Sequence, residues 1–331
     1  MKALITGATG FIGSHLIEVL TDNNWDVRVL VRAESNLRNL ASRSLERVTG
    51  DVRDPDSTSR AVKGVDVIFH AAALVGEWGD PKDYFDINVT GMKNMIDSAA
   101  AAGVPRFIDV SSTAVHGDEG FSNSTEDNPY VKTGILYNDT KLEAEKLVWQ
   151  AHAEGRIRAS TVRPCMVWGP RDRAFMPKII LACRSRMFVY INGGNHVAGL
   201  AHVRNVCDAI HRCAMSEEAV GKAFIITDGC DTTVRGMVET LCAELGLKKP
   251  RFSIPYSFAK AAGGFSENVY RRMHSKKAPL LTKMGVACIG NNFSFDITRA
   301  RTVLGYEPRY RFPHSLQPFL DWFKAEYKFT S

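Results

Sequence analysis

The chain has 331 residues, of which 45% are hydrophobic and 24% are charged, and its formal net charge is +6. This composition is that of an ordinary globular protein, long enough to bury a full core as one large α/β domain or two smaller ones. The basic excess is small and mostly scattered, which excludes the clustered basic face of a nucleic-acid-binding protein.

Seven cysteines, an odd number, are spread along the chain without any C-x-x-C pair. This pattern predicts reduced thiols in a cytoplasmic protein rather than disulfides or a zinc site. Cys207 and His211 stand four apart on a predicted helix, but no further ligand lies nearby, so no metal is expected. The chain starts directly on a strand and has no apolar run of membrane-spanning length, which predicts a soluble protein without a signal peptide.

The first predicted element is a short apolar strand at 3–5, followed by a turn containing Gly7, Gly10 and Gly13 and by a helix from Phe11. Glycine allows the main chain to turn tightly and to approach a ligand, and a helix N-terminus favours an anion. The turn therefore predicts a pyrophosphate site, although its Gly-x-x-Gly-x-x-Gly spacing differs from the G-x-G-x-x-G fingerprint. The alternative is that these glycines only let the helix pack on the strand.

Strands and helices alternate from there through the first half of the chain. This alternation predicts an α/β fold built on a Rossmann-type doubly wound parallel sheet. From Trp168 the pattern loosens, so we expect a nucleotide-binding domain at 1–167 and 201–229 and a smaller, mostly helical substrate lobe at 168–200 and 230–331. The further strands are predicted at 26–31, 45–49, 65–70, 107–110, 158–162 and 223–227, and the long helices at 81–102 and 134–153.

Ligands of such sheets bind beyond the carboxyl ends of the strands. The residues that follow the predicted strands are Arg32, Asp51, Ala71, Ala72, Ala73, Ser111, Ser112, Thr113, Pro164 and Val167.

A tyrosine and a lysine stand four residues apart on the second long helix. Tyr137 and Lys141 therefore lie on one face of that helix, a turn apart, where the ammonium is expected to favour the phenolate electrostatically. Ser112 ends a strand 25 residues before Tyr137 and can donate a hydrogen bond to a substrate oxygen while Tyr137 transfers a proton. A Tyr-x-x-x-Lys pair alone is common by chance, and its significance depends on these neighbours.

Together, these motifs resemble the extended short-chain dehydrogenase/reductase family over essentially the whole chain. The motifs are 6–13, 50–54, 70–73, 88–91, 111–117, Tyr137-x-x-x-Lys141 and 163–170. Within the family the chain resembles the 3β-hydroxysteroid dehydrogenase-like group most, on segments 73–79, 279–282 and 293–306.

The resemblance implies an NAD(P)-dependent oxidoreductase with Ser112, Tyr137 and Lys141 as its catalytic set and Asn88 ordering the site. Lys141 would also hold the nicotinamide ribose, while Asp51 and Val52 would meet the adenine. The implied cofactor-binding residues are Gly7, Thr9, Gly10, Phe11, Ile12, Gly13, Arg32, Asp51, Val52, Ala71, Ala72, Ala73, Ser111, Tyr137, Lys141, Pro164 and Val167.

The residue after the second strand bears on the choice between NAD(H) and NADP(H). An acidic residue there binds a ribose 2′-hydroxyl, whereas an arginine accommodates a 2′-phosphate. Arg32 occupies this place, which favours NADP(H). Glu34 is close enough to bind a ribose instead, so NAD(H) stays possible.

The expected substrate space is mostly apolar, which favours a bulky hydrophobic alcohol or ketone of the sterol or 3-oxoacid type. Arg204 stands where the family often has an aspartate and could either form a salt bridge at the lobe boundary or meet a substrate carboxylate. A nucleotide-sugar epimerase or reductase, a dihydroflavonol-type reductase and a non-catalytic dinucleotide sensor are the alternatives. The predicted substrate-binding residues are Leu74, Val75, Trp78, Thr113, Trp168, Phe175 and Arg204.

Two partner surfaces are also expected. Family members often dimerise through the two long helices, and a homodimer is predicted here. The segment 255–277 places apolar residues before a basic cluster, a pattern that suits either a membrane-surface helix or a lobe helix with a solvated end. The cluster consists of Arg271, Arg272, His274, Lys276 and Lys277.

Overall fold

The computed structural model describes residues 1–40, 44–275 and 277–329. The strands are β1 (Lys2–Thr6), β2 (Asp26–Val31), β3 (Glu46–Thr49), β4 (Val67–His70), β5 (Arg106–Val110), β6 (Phe121–Ser124), β7 (Ala159–Pro164), β8 (Met166–Trp168), β9 (Tyr190–Ile191), β10 (Leu200–His202), β11 (Ala223–Ile226), β12 (Ser253–Ile254) and β13 (Phe293–Phe295). The α-helices are α1 (Phe11–Asp22), α2 (Pro55–Ala61), α3 (Pro81–Phe85), α4 (Gly91–Ala101), α5 (Leu136–Ala153), α6 (Met176–Arg184), α7 (Val203–Met215), α8 (Val234–Glu244), α9 (Tyr256–Arg272), α10 (Lys283–Gly290), α11 (Thr298–Leu304) and α12 (Gln317–Glu326).

A seven-stranded parallel sheet forms the centre of the molecule, with the strand order β11-β7-β5-β4-β1-β2-β3. The order reverses at β1, which lies between β2 and β4, and this switch point is where a doubly wound sheet opens a crevice for a ligand. The predicted Rossmann-type sheet is confirmed, and each predicted strand ends within two residues of its observed bounds.

Helices cover both faces of this sheet because its strands are apolar on both sides. Ile5 and Phe69 face the cluster that packs against α1 and α7, whereas Leu4, Ile68 and Phe107 face the cluster that packs against α2, α4 and α5. Successive residues of each strand thus alternate between the two layers. The second layer is the one that carries α5 and therefore Tyr137.

A separate apolar cluster forms the core of the C-terminal lobe, around Trp168, Met237 and Phe319. The short pair β8–β10 connects this lobe to the sheet at the predicted boundary. Residues 297–306 depart from the predicted division, because Ala300 and Tyr306 pack on the sheet side and the Tyr306 hydroxyl donates a hydrogen bond to the Thr227 carbonyl at 2.8 Å. The domain division as a whole stays a prediction.

The long helix predicted at 81–102 is interrupted. A π-helical segment, Asp86–Thr90, separates α3 from α4. Such segments are frequent at functional sites, and this one carries Asn88.

Among the described residues, no helix is both long enough and apolar enough to cross a bilayer.

Candidate active site

The glycine turn brings α1 and β4 unusually close to the end of β1. Gly7 has a φ of +70°, and a Cβ added there would lie 2.5 Å from the carbonyl oxygen of Ala71. A Cβ on Gly13 would overlap the carbonyl of Gly7 itself. Both positions therefore require glycine, the first for the turn and the other for the contact between helix and strand.

The N-terminus of α1 is left open by this turn. Gly10 is its N-cap residue and has no side chain to accept hydrogen bonds from the first helical N–H groups, around Phe11 and Ile12. Those groups and the helix dipole favour an anion. The donors and the glycine cradle together fit the pyrophosphate of a dinucleotide at the switch point, with half-buried Thr9 beside them.

The neighbouring strand end is fixed to the turn. The Ala72 N–H donates to Thr6 Oγ1 at 3.3 Å and the Ala71 N–H donates to the Thr6 carbonyl at 3.3 Å. These bonds fix the end of β4 beside the glycine turn, and the role of 71–73 in cofactor binding stays a prediction.

The predicted adenosine end lies near the ends of β2 and β3. Arg32 is exposed and its Nε lies 3.3 Å from Glu34 Oε1. Asp51 accepts hydrogen bonds from the Arg53 guanidinium, which holds the pKa of the Asp51 carboxyl below its usual range. Val52 is buried, and its carbonyl accepts a hydrogen bond from the Asn94 amide at 3.0 Å.

The structure brings Ser112, Tyr137 and Lys141 together at the end of β5. Ser112 Oγ accepts a hydrogen bond from the Ala114 N–H at 3.2 Å, which caps a short 3₁₀ turn at Thr113–His116, and it also bonds the Tyr137 phenol. Lys141 is buried and its Nζ donates to the Val110 carbonyl at 2.8 Å. A hydroxyl, a phenol and an ammonium thus converge on one edge of the sheet.

The expected stabilisation of the phenolate by Lys141 is not seen in this geometry. Burial raises the pKa of Tyr137 to about 12, while the bond from Ser112 opposes this shift and the charge of Asp109 adds to it. The Lys141 ammonium is instead held by Val110 and lies 3.8 Å from Asp109 Oδ1. The arrangement keeps Tyr137 protonated, ready to donate its proton.

Asn88 connects two parts of the site. Its amide oxygen accepts from the Leu74 N–H at 2.7 Å, and its Nδ2 donates to the Leu74 carbonyl at 3.2 Å and to Thr140 Oγ1 at 2.9 Å. Asn88 therefore ties the loop after β4 to the helix that carries Tyr137 and Lys141. Its role is to position these groups.

Ser111 does not contribute its side chain to the crevice, contrary to expectation. Its hydroxyl donates to Glu145 Oε2 at 2.5 Å, and both side chains are buried. Glu145 also accepts from Arg163, from the Tyr130 hydroxyl at 2.8 Å and from the Trp149 indole at 2.9 Å. Residue Ser111 thus anchors α5 to β5 rather than binding a ligand.

Sequence reasoning missed this network although a signal was present. Tyr137, Lys141 and Glu145 follow one another at four-residue intervals, which places them on one helix face. The third member faces the sheet and forms an ion pair with Arg163 of β7.

Some of the predicted substrate residues border the crevice. Leu74 is held by Asn88, Val75 is exposed, and Thr113 is buried next to Cys165. Trp78 packs against Tyr270 of α9, and its indole donates to the Ser275 carbonyl, just beyond that helix, at 2.9 Å.

Two predicted substrate residues lie elsewhere. Trp168 is completely buried in the lobe core and its indole donates to Asp228 Oδ2 at 2.8 Å, so it is a core residue. Arg204 forms an ion pair with Glu18 of α1 at 3.2 Å, which is the salt bridge at the lobe boundary. A sequence position near the end of a strand does not show whether the side chain points into the lobe or toward the crevice. The sequence could therefore not distinguish these roles.

Three other predicted residues mark the lobe boundary. Pro164 ends β7 opposite Ile226, Val167 pairs with Ala201 of β10, and Phe175 precedes α6 and packs on the lobe core.

The lobe also contributes a group that the sequence did not reveal. Cys288 of α10 is close enough to Tyr137 to act on the phenol electrostatically, and burial raises the pKa of the Cys288 thiol to about 12. No local pattern could have found this contact, because it joins residues 151 positions apart (288 − 137). The lobe helix α10 therefore lies near the phenol.

The glycine cradle and the Ser–Tyr–Lys set together define an NAD(P)-dependent oxidoreductase. A model of the NAD dependent epimerase/dehydratase family matches residues 3–226, and the chain belongs to this family. With its relatives, it is an extended short-chain dehydrogenase/reductase of the 3β-hydroxysteroid dehydrogenase-like group.

Two relatives and one solved structure illustrate the similarity. A 4-hydroxy-2-methyl-3-oxo-4-farnesyl-3,4-dihydroquinoline-1-oxide ketoreductase of Stigmatella aurantiaca is 30% identical over 312 residues, which cover 93% of this chain and 92% of that protein. A 3-beta-hydroxysteroid dehydrogenase of Mycolicibacterium neoaurum is 29% identical over 345 residues, covering 97% and 91%. The crystal structure of gox2253 superposes with a TM-score of 0.82 at 27% identity, covering 99% of both chains.

Proposed function

We propose that this protein interconverts a secondary alcohol and a ketone on a bulky hydrophobic substrate of the 3β-hydroxysteroid, sterol or 3-oxoacid type, with NADP(H) as cofactor. The observation that carries the proposal is the convergence of Ser112, Tyr137 and Lys141 at the end of β5, where burial raises the pKa of the Tyr137 phenol to about 12. The names of the two relatives describe a farnesylated ketone and a steroid, both bulky and hydrophobic.

The residues divide the work of carbonyl reduction. The nicotinamide cofactor, when bound, supplies the hydride. Ser112 donates a hydrogen bond to the carbonyl oxygen of the substrate, and Tyr137 transfers its phenolic proton to that oxygen as the alcohol forms. Lys141 would hold the nicotinamide ribose, and the hydrogen bonds of Asn88 connect the loop at Leu74 to the helix that carries Tyr137 and Lys141.

The charges around the lobe boundary favour a hydrophobic substrate over a nucleotide sugar. A diphosphate requires free cations, but Arg171 pairs with Glu18 at 2.6 Å, Arg173 pairs with Glu326 at 2.5 Å and Lys178 pairs with Glu77. Each of these basic residues therefore already has an acidic partner, although Glu18 and Glu326 are each shared with a second arginine. A nucleotide-sugar epimerase or a dihydroflavonol-type reductase remains the alternative function.

A substrate panel tests the proposal. Oxidation of NADPH and NADH, and the reverse reaction, is followed with 3-ketosteroids, 2-alkyl-3-oxoacids, dihydroflavonols and nucleotide sugars. We expect turnover of a hydrophobic ketone, and preference for a nucleotide sugar would overturn the substrate assignment. Tyr137→Phe should lower kcat by about 10²–10⁴-fold; unchanged turnover would reject the proton-donor role, while binding without any turnover would favour a dinucleotide sensor.

The NADP(H) preference rests on Arg32. We expect Arg32→Ala to weaken NADPH binding by about tenfold or more while leaving NADH binding nearly unchanged. Glu34→Gln is the matched control, because it removes the nearby carboxylate that could bind a ribose. Loss of NADH binding in Glu34→Gln, with no effect of Arg32→Ala on NADPH, would assign NAD(H) instead.

We also propose a homodimer through the outer side of α3 and α5. Phe85 is 53% exposed there, beside a shallow groove that also contains Val89 and Leu147. The exposed apolar surface and the Lys132–Glu143 pair at its rim suit a self-complementary interface.

Peripheral membrane contact is a further proposal for the α9 surface. Phe258 and Phe265 stand seven residues apart on α9 with 64% and 73% of their surface exposed, and Arg272 continues the same stripe. Aromatic groups followed by cations suit an anionic lipid surface. Lys276, part of the predicted basic cluster, lies outside the described residues.

Sedimentation with lipid vesicles tests this contact. The protein should sediment with phosphatidylserine-containing vesicles and less with phosphatidylcholine alone, and Phe258→Ser with Phe265→Ser should abolish the difference. Phe85→Ser is the control for loss of an exposed phenylalanine elsewhere. Equal sedimentation of all variants would reject the contact.

A further inference from the structure

Four polar side chains form a row across the sheet beneath the catalytic helix. Thr6 pairs with His70, His70 with Asp109, and Asp109 with Thr161 in the registers of β1, β4, β5 and β7. Paired residues of parallel strands point to the same face, here the face covered by α5. All four side chains are buried, with at most 1% of their surface exposed.

This row is poorly supplied with hydrogen bonds. Thr6 Oγ1 and His70 Nδ1 are 2.9 Å apart, but in the described part of the chain His70 Nε2, both Asp109 carboxylate oxygens and Thr161 Oγ1 have no hydrogen-bond partner. Burying a carboxylate without such bonds is costly. The charged group that lies against Asp109 is Lys141, with its Nζ 3.8 Å from Asp109 Oδ1.

Among the titratable groups described near Asp109, Lys141 is the one whose charge acts most directly on the Asp109 carboxylate. Lys141 and Glu145 face it from α5, Arg163 from β7 and His70 from β4. Glu145 and Arg163 neutralise each other in a buried ion pair. His70 is neutral, because burial lowers its pKa to about 3.

Asp109 is negatively charged at neutral pH in spite of its burial. Burial raises the pKa of Asp109 to about 6, and Lys141 opposes the shift. The charge of Asp109 in turn contributes to the raised pKa of Tyr137. The Asp109 carboxylate thus interacts electrostatically with both Lys141 and the proton donor Tyr137.

We propose that Asp109 is a positioning residue for the proposed reaction: its carboxylate, behind Lys141, partly neutralises the ammonium and keeps Tyr137 in its proton-donating form. The inference rests on the proposed function and deepens it. It assigns the enzyme a bias toward carbonyl reduction, because the phenolate that alcohol oxidation needs is disfavoured while Asp109 is ionised.

The pH dependence of the two directions tests this role. Asp109→Asn keeps the size of the side chain and removes its charge, so the midpoint of the alcohol-oxidation profile should move down by roughly one pH unit. The alkaline limb of ketone reduction should move in the same direction. Thr161→Val, which removes a polar atom from the same row without changing charge, should leave both profiles in place. Profiles of Asp109→Asn that superimpose on the wild type, or an equal shift in Thr161→Val, would overturn the proposal.

A measurement on the free protein separates this inference from the proposed function. The carboxyl ¹³C resonance of Asp109, identified by its loss in Asp109→Asn, should titrate well above the usual range for aspartate. Lys141→Met should move that midpoint further up, because the neighbouring cation is lost. A midpoint near pH 4 that is insensitive to Lys141→Met would overturn the inference, whatever substrate the enzyme accepts.

Discussion

Two buried carboxylates differ in how strongly their surroundings stabilise the ionised form. Asp109 and Glu145 are both fully buried carboxylates, yet their surroundings differ. Glu145 receives hydrogen bonds from Ser111, Tyr130, Trp149 and Arg163, which hold the pKa of its carboxyl below the usual range despite burial. Asp109 receives none of these, so its ionised form is much less stable.

The contribution of Asp109 to folding stability should depend on pH. Because its folded pKa of about 6 lies above the ordinary 3.8, this group favours the folded state fully below pH 4 and loses that contribution as pH rises through 6. The free energy of unfolding of Asp109→Asn, relative to that of the wild type, should therefore rise by about 2–3 kcal/mol as the pH is raised from 4 to 8. Urea unfolding at both pH values measures this, and a difference that does not change with pH would contradict it.

The second prediction concerns Glu145. Glu145→Gln leaves the Arg163 guanidinium buried without its counter-charge, and the free energy of unfolding should fall by about 3–5 kcal/mol. Glu143→Gln on the same helix is the matched control, because its partner Lys132 is solvent-exposed and the loss should be about 0.5 kcal/mol or less. Equal losses in urea denaturation would show that the buried network does not stabilise α5.

At the scale of elements, the β1–α1 turn depends on two glycines whose replacement the backbone cannot accommodate. The carbonyls of Gly7 and Ala71 occupy the space that side chains would need. The middle glycine is different, because a Cβ on Gly10 would lie 3.1 Å from one atom, the Gly7 carbonyl oxygen. Its φ of −76° is open to any residue.

Replacing Gly13 and Gly10 by alanine should therefore have different effects. Gly13→Ala should separate α1 from β1, cost about 1–3 kcal/mol of stability and weaken NADPH binding strongly. Gly10→Ala should cost less than about 1 kcal/mol and retain most of the affinity. Thermal unfolding and fluorescence titration of NADPH measure both quantities, and similar behaviour of the two variants would contradict the steric explanation.

At the scale of the whole molecule, the lobe completes the site from the far end of the chain. Trp78 follows β4, but it is held by Ser275, and the Arg271 guanidinium lies 5.0 Å from the centre of its ring. Glu77 accepts a hydrogen bond from Thr282 at 2.5 Å, next to α10, whose Cys288 approaches Tyr137. The loop after β4 and the α9–α10 pair thus hold each other over the crevice.

A charged residue at Phe85 should disrupt the proposed dimer. Phe85→Arg places a charge in the apolar groove and should convert the dimer to a monomer, with the fold unchanged because Phe85 is half-exposed. Analytical ultracentrifugation measures the mass, and circular dichroism checks the fold. Phe252→Arg, at a more exposed phenylalanine away from this groove, is the control. A wild type that sediments as a monomer would reject the dimer.

The local elements of this protein follow from its amino-acid sequence alone. The strands of the central sheet, the glycine turn and the Tyr137–Lys141 spacing follow from hydrophobic period, turn chemistry and helix geometry, which act between near neighbours in the chain. Long-range packing, in contrast, buries Trp168 in the lobe core, pairs Arg204 with Glu18 and brings Asp109 behind Lys141. Those relations join residues far apart in sequence, and their signs depend on burial and on the charges that packing brings together.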